Sequence, residues 1–241
     1  MLGKDICSYN KCTGCFACAN ACPKSCISLV EDDYGEIHPK VDTDACIDCK
    51  LCQKTCPNNR EIAFRYPSHC YAAWITNKEK RKICASGGIG TELSEFIIKH
   101  GGIIFGSRYD EQLNPIITWT DSITELERFK GSRYVQSKVG EKTYKQVKEF
   151  LRTGKQVLYI GTPCQIAGLY GFLKKSYDNL ITVDLICHGV SPSIYLKEEV
   201  EYLTEKYGLK NVSDIRFRGN DGNNYRQNIF DEAILDDCYI Q

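Results

Sequence analysis

The sequence has no excess of charge: 31 Lys and Arg stand against 31 Asp and Glu, a net charge of zero. Without a positive field nothing draws in a nucleic-acid backbone or an anionic bilayer, so nucleic acid is not expected among the partners. The chain also lacks any run of about 18 apolar residues, the length that marks a membrane-crossing helix. Residues 1–5 carry no apolar segment of the kind found in a secretory signal. It therefore reads as cytoplasmic, with no membrane span. Its 241 residues exceed one typical domain and suit a small module followed by a larger one.

Cysteine, by contrast, is abundant. Of 15 cysteines, ten lie between Cys7 and Cys56, leaving Cys70, Cys84, Cys164, Cys187 and Cys238 for the rest of the chain. Without a secretory signal, that number points to metal or redox chemistry rather than to a disulfide scaffold. Residues 12–23 read Cys12-x-x-Cys15-x-x-Cys18-x-x-x-Cys22-Pro23, and residues 46–57 repeat the spacing as Cys46-x-x-Cys49-x-x-Cys52-x-x-x-Cys56-Pro57. Three thiolates at three-residue steps wrap one face of a cuboidal cluster, and the proline turns the chain away. Zinc sites also use C-x-x-C pairs, but two pairs suffice for them; here each pair extends to a triplet closed by Cys-Pro. Two [4Fe-4S] clusters are thus expected. In bacterial ferredoxins with this run the fourth cysteine ligates the other cluster, which assigns Cys12, Cys15, Cys18 and Cys56 to one and Cys46, Cys49, Cys52 and Cys22 to the second. Cys7 and Cys26, flanking the first run, read as packed free thiols, the alternative being that one of them replaces a ligand. Between the runs, Asp32-Asp33-Tyr34-Gly35 predicts the turn of a small hairpin.

Arg60 to Ser68 reads as a linker, which divides the chain into a ferredoxin-like dicluster domain at 1–65 and an α/β domain at 66–241. In the second part, His69-Cys70-Tyr71-Ala72-Ala73-Trp74-Ile75-Thr76 predicts a buried strand by its aromatic and β-branched content. The loop Ser86-Gly87-Gly88 opens a helix whose Leu93, Phe96 and Ile97 share a face, and exposed amides at such a start can hold a phosphate. The cations at 78–82 read as a surface turn. Strands are expected at 103–105, 116–120, 156–160 and 180–186, with helices at 125–129 and 141–152. Gly161-Thr162-Pro163-Cys164-Gln165 and Cys187-His188-Gly189 each lead from a strand toward a helix, the β-α pattern of a mixed sheet. Its ligands favour the loops at the strands' C-terminal ends. The fold class is α+β, a bacterial ferredoxin-like module followed by an α/β domain.

Ser86-Gly87-Gly88, Gly131-Ser132-Arg133-Tyr134-Val135-Gln136-Ser137, Gly161-Thr162-Pro163-Cys164-Gln165 and Asp184-Leu185-Ile186-Cys187-His188-Gly189-Val190 together resemble the beta subunits of coenzyme F420 hydrogenases and dehydrogenases. The resemblance runs from the cysteine runs to about Arg218. It implies that the second domain binds FAD, with Ser86, Gly87, Gly88, Gly161, Thr162, Pro163, Cys164, Gln165 and Gly189 shaping the pocket, and Cys187 and His188 at the catalytic position. It further implies an oxidoreductase that relays electrons between a redox partner protein (ferredoxin or a hydrogenase- or dehydrogenase-type subunit) and an organic two-electron acceptor. The chain departs from the family at Gly219-Asn220-Asp221-Gly222-Asn223-Asn224 and ends soon after Cys238, which reads as a fragment with an incomplete flavin pocket.

Overall fold

The computed structural model describes residues 5–62, 66–210, 212–217 and 228–231. The departure at 219–224 and Cys238 lie outside them. The two cysteine runs adopt the same local structure. In each, the second cysteine sits between two residues of left-handed backbone: Gly14 (φ 59°) and Phe16 (φ 60°) flank Cys15, and Asp48 (φ 54°) and Lys50 (φ 59°) flank Cys49. Each run then starts a five-residue helix, α1 (Ala17–Ala21) or α2 (Leu51–Thr55), that stops at its fourth cysteine. Between them lies the expected hairpin, β1 (Ile27–Glu31) antiparallel to β2 (Ile37–Val41). The Asp32 carboxylate holds its turn, accepting the amides of Tyr34 and Glu36 at 2.9 Å each, with Gly35 in the left-handed region.

The rest of the described chain builds a mixed sheet. After α3 (Lys78–Lys82) and α4 (Ile89–Lys99) come β3 (Ile103–Tyr109), β4 (Pro115–Thr120), β5 (Lys138–Val139), α5 (Thr143–Arg152), β6 (Val157–Gly161), α6 (Pro163–Leu173), β7 (Leu180–Asp184) and α7 (Ser193–Tyr207). A separate antiparallel ribbon, β8 (Val212–Arg216) with β9 (Asn228–Asp231), follows. The five strands lie in the order β5-β4-β3-β6-β7, antiparallel only between β3 and β4. One face of the sheet packs α4 through Ile97, Ile98, Ile104 and Leu158. The other packs α5 and α6 through Phe105, Tyr144, Val147, Tyr159 and Leu169, all fully buried.

The cysteine module adds Cys15, Phe16, Ala17 and Ile37 to that second core, so it is seated on α5 and α6 rather than hung from a linker. Phe16 is 2% exposed. Burying its ring contributes about 1.5–3 kcal/mol, which offsets the roughly 1–3 kcal/mol that a left-handed non-glycine residue costs. Asn20 of α1 reinforces the seat: its Nδ2 donates to the Gly140 carbonyl at 2.9 Å, and its Oδ1 accepts the Tyr144 amide at 2.9 Å, capping α5 from another part of the chain.

Four expectations need correction. Residues 69–76 form no strand: Tyr71 and Trp74 are exposed, and Ile75 alone is buried, its amide bonded to the Gly87 carbonyl at 2.8 Å. Strand-forming residue types need a partner strand, and none lies beside this segment among the described residues. The buried stripe of α4 is Ser94, Ile97 and Ile98, with Leu93 and Phe96 exposed. The cations at 78–82 make a helical turn capped by Asn77, and Lys80 reaches Glu92 and Glu95 at 2.7 and 2.8 Å. The helix at Glu125–Phe129 is of the tighter 3-10 type.

Candidate iron-sulfur and cofactor site

Two cavities lie inside the module, walled by thiols and apolar side chains. One is lined by Cys22, Cys46, Cys49 and Cys52, together with Cys26. The other is lined by Cys12, Cys15, Cys18 and Cys56, together with Cys7. Each cavity therefore gathers the triplet of one run and the fourth cysteine of the other. The crossing follows from the geometry of α1 and α2, which pack together and carry their fourth cysteines away from their own triplets.

The electrostatics divide the thiols the same way. Burial pushes Cys15 up to about 12, and charge on Cys56 and Cys12 adds to the effect. Cys18 rises by burial and then by Cys15, Cys12 and Cys56. Cys12 rises by burial and Cys52 likewise, the latter raised further by charge on Cys49 and Cys22. Crowded, buried thiols that repel one another's charge are suited to a polycation core that would hold them as thiolates. Backbone amides already point at the sulfurs, from Gly14 to Cys12, from Ala17 to Cys15 and from Gln53 to Cys52. Amide-to-sulfur bonds of this kind tune a cluster's potential. The donor set fits a four-thiolate cluster in each cavity.

The cavity lined by Cys15 abuts α6. A Cβ placed on Gly168 would stand 3.1 Å from the Cys15 sulfur and 3.3 Å from Ala17 Cβ, and one on Gly171 would stand 2.3 Å from the Thr55 carbonyl. Only glycine permits that approach. The Tyr144 hydroxyl lies 3.0 and 2.8 Å from the carbonyls of Cys15 and Gln165, tying the cysteine loop to the first turn of α6. Cys164 in that turn is close enough for its charge to raise Cys15.

The first turn of α6 also lies at the sheet's C-terminal edge, directly after β6, where the second group of candidate residues gathers. Gly161 pairs with Asp184, and the Leu185 amide donates to the Gly161 carbonyl at 2.9 Å, so the Gly161 and Cys187 loops leave the sheet side by side. The start of α4 reaches the same edge: a Cβ on Gly90 would lie 3.7 Å from Ile160 Cδ1. Gly88, left-handed at φ 81° and at the N-cap of α4, has no side chain to cap that helix. The start of α6 differs. Thr162 and Gln165 form a capping box, Gln165 Oε1 accepting the Thr162 amide at 3.1 Å, while Gln165 Nε2 donates to the Ser137 carbonyl at 3.0 Å. Gln165 is buried, with its amide group committed to holding the loop. Cys164 is half-buried, its sulfur 3.2 Å from Thr162 Oγ1. Ser86 is exposed, and so are Cys187, His188 and Gly189, with the Gly189 amide donating to the Cys187 sulfur at 3.4 Å. Asn20, Gly168 and Gly171, which with Tyr144 join the two parts, were not singled out from sequence; the small residues three apart in α6 were the available signal, whereas Tyr144 is buried as its helical spacing predicts.

A family model of a 4Fe-4S dicluster domain matches residues 11–59, and one for the C terminus of the coenzyme F420 hydrogenase/dehydrogenase beta subunit matches residues 154–239. An uncharacterised ferredoxin of Methanocaldococcus jannaschii is 35% identical over 54 residues, 22% of this chain and 69% of that protein. An uncharacterised protein of the rpl9-rpl11 intergenic region of Porphyra purpurea is 41% identical over 54 residues, 22% of this chain and 72% of that protein. A chain of the F420-reducing [NiFe] hydrogenase complex from Methanosarcina barkeri shares 19% identity and a TM-score of 0.44, covering 66% of this chain and 56% of that one. Among the described residues no helix is long and apolar enough to cross a membrane.

Proposed function

Because the chain belongs to the family of coenzyme F420 hydrogenase/dehydrogenase beta subunits and carries a dicluster module, we propose that it is a flavin-dependent relay, passing electrons between a redox partner protein and an organic two-electron acceptor. The chain is an iron-sulfur electron-transfer protein related to those subunits. In this reading Cys12, Cys15, Cys18 and Cys56 hold one cluster, and Cys46, Cys49, Cys52 and Cys22 hold the other. FAD occupies the sheet edge between the Gly88, Gly161 and Cys187 loops. A bound flavin supplies the exchange between one-electron and two-electron transfer.

The observation that carries the proposal is α6. Its glycines seat the Cys15 loop on one side, and its first turn, Pro163 and Cys164, opens at the edge where the three loops meet. Tyr144 bonds both the Cys15 and Gln165 carbonyls, so cluster loop and cofactor loop are held in one register. The start of α4 offers its first-turn amides to a phosphate. Thr162 and Gln165 shape the Gly161 loop from beneath, and His188, exposed on its loop, would be the proton donor to the substrate in this reading.

Anaerobic titration of the iron-loaded protein with FAD, followed by flavin fluorescence, tests this. Saturation near one FAD per chain, and bleaching of the bound flavin when the clusters are reduced, is the expected result. No binding would leave an electron carrier whose larger domain docks a partner. A second FAD readout comes from Gly161→Val, whose side chain would meet Gln165 Oε1 and Tyr159 Cε1, both 2.9 Å from the Cβ position. This variant is expected to lose flavin and keep iron.

A further inference from the structure

Each cavity holds one thiol more than four ligands require. Cys26 is the clearer case. It follows Cys22 by four residues, and the left-handed Ser25 (φ 49°) between them turns the chain back, so that the two sulfurs lie 3.4 Å apart. Both are buried, at 6% and 7% exposure. Cys46, the first cysteine of the second triplet, packs against the same buried cluster as Cys26 and lines the same cavity. Cys26 thus stands in the wall of the cavity lined by all four cysteines assigned to one cluster, its sulfur in contact with that of Cys22.

The two neighbours are not equal. Cys22 closes the first Cys-x-x-Cys-x-x-Cys-x-x-x-Cys-Pro run at the position Cys56 holds in the second, whereas Cys26 lies outside both runs. Cys22 is the resident ligand on that account, and Cys26 is the one in waiting.

We propose that Cys26 is a reserve ligand for the cluster held by Cys46, Cys49, Cys52 and Cys22, an inference that rests on the two-cluster reading above. When Cys22 releases its iron, that Fe–S bond breaks, an Fe–S bond to Cys26 forms, and the proton of the Cys26 thiol passes to Cys22 across the 3.4 Å gap. Iron count, sulfide count and oxidation state are unchanged, so no oxidant or reductant is needed. The strand β1 starts immediately after Cys26. The loop 23–25 is therefore the segment that moves.

The test compares wild type, Cys22→Ala, Cys26→Ala and the double variant, purified anaerobically, by iron and sulfide content and by EPR of the oxidised protein. Cys22→Ala and Cys26→Ala are each expected to keep about eight irons, with no [3Fe-4S] signal. The double variant is expected to lose iron from one cluster and show that signal or a half complement. Cys22→Ala indistinguishable from the double variant would overturn the proposal, and so would iron loss in Cys26→Ala alone, which would make Cys26 the resident. If Cys22→Ala does not accumulate, Cys26→Ala decides: it is expected to lose its visible absorbance to an iron chelator faster than wild type, and equal rates would overturn the proposal. Wild type devoid of iron would instead refute the two-cluster reading itself.

Discussion

Replacing Gly171 by Ala tests how closely the cluster module sits on the sheet domain. The new methyl would fall 2.3 Å from the Thr55 carbonyl, and even a 3.0 Å contact is closer than real Cβ atoms come. The two backbones must part by at least 0.7 Å. Thr55 is fully buried and directly precedes Cys56, whose amide bonds the Cys52 carbonyl at 3.1 Å, so the displacement acts on cysteines of both cavities. Overpacking of this kind costs about 1–3 kcal/mol, against a gain of up to about 1 kcal/mol for alanine in a helix. A net loss of about 1–2 kcal/mol lowers the midpoint of a chain this size by roughly 2–8 °C. Gly90→Ala is the matched control. Its methyl meets only Ile160 Cδ1, at 3.7 Å, so the helix gain of about 0.5 kcal/mol stands uncancelled and the midpoint rises. Anaerobic melting, followed by tryptophan fluorescence and by cluster absorbance, reads both variants. A Gly171→Ala protein as stable as Gly90→Ala would refute the contact between α6 and α2.

Tyr144→Phe removes the one hydroxyl shared by the Cys15 and Gln165 carbonyls, and a loss of about 1–3 kcal/mol in chemical denaturation is expected, with a shift in the midpoint potential of one cluster only. Phe16→Ala empties a fully packed site in the shared core; a cost of about 3–5 kcal/mol is expected, with protease cleavage appearing at residues 57–62 before the sheet is cut. Stripping the clusters with chelator and oxidant leaves Cys18, Cys22, Cys26 and Cys56 as most of a small core with Ile6 and Ile27, so amide hydrogen exchange is expected to rise across 5–56 and to spread into α5.

The cysteine runs were legible because ligand spacing is a local property: the repeat of three-residue steps, closed by Cys-Pro, already contains the loop and helix that follow. The hairpin was legible for the same reason, through Asp32 and Gly35. Most of the strands and helices from 103 to 207 followed from periodicity, and the mixed sheet from their alternation; the two-residue edge strand β5 did not. What stayed hidden was tertiary. Leu93, Phe96 and Ile97 do share a face of α4, yet the face that meets the sheet is the neighbouring stripe of Ser94, Ile97 and Ile98, and nothing in a one-helix pattern distinguishes the two. The run at 69–76 has the composition of a strand and no neighbour to pair with. The docking of the module on α5 and α6 depends on Asn20, Tyr144, Gly168 and Gly171, residues far apart in sequence whose roles appear only when the chain is folded. That Cys7 or Cys26 could replace a ligand was legible, but not that Cys26 lies against Cys22 in the cavity lined by Cys46, a placement that spans the hairpin.

The most direct measurement is the iron, sulfide and zinc content of the anaerobically purified chain, with its EPR spectrum after dithionite reduction. About eight irons and eight sulfides per chain, with the split signal of two reduced clusters in contact, is the predicted result. Zinc in place of iron, or about four irons with a single isolated signal, would contradict the assignment of two cavities to two clusters.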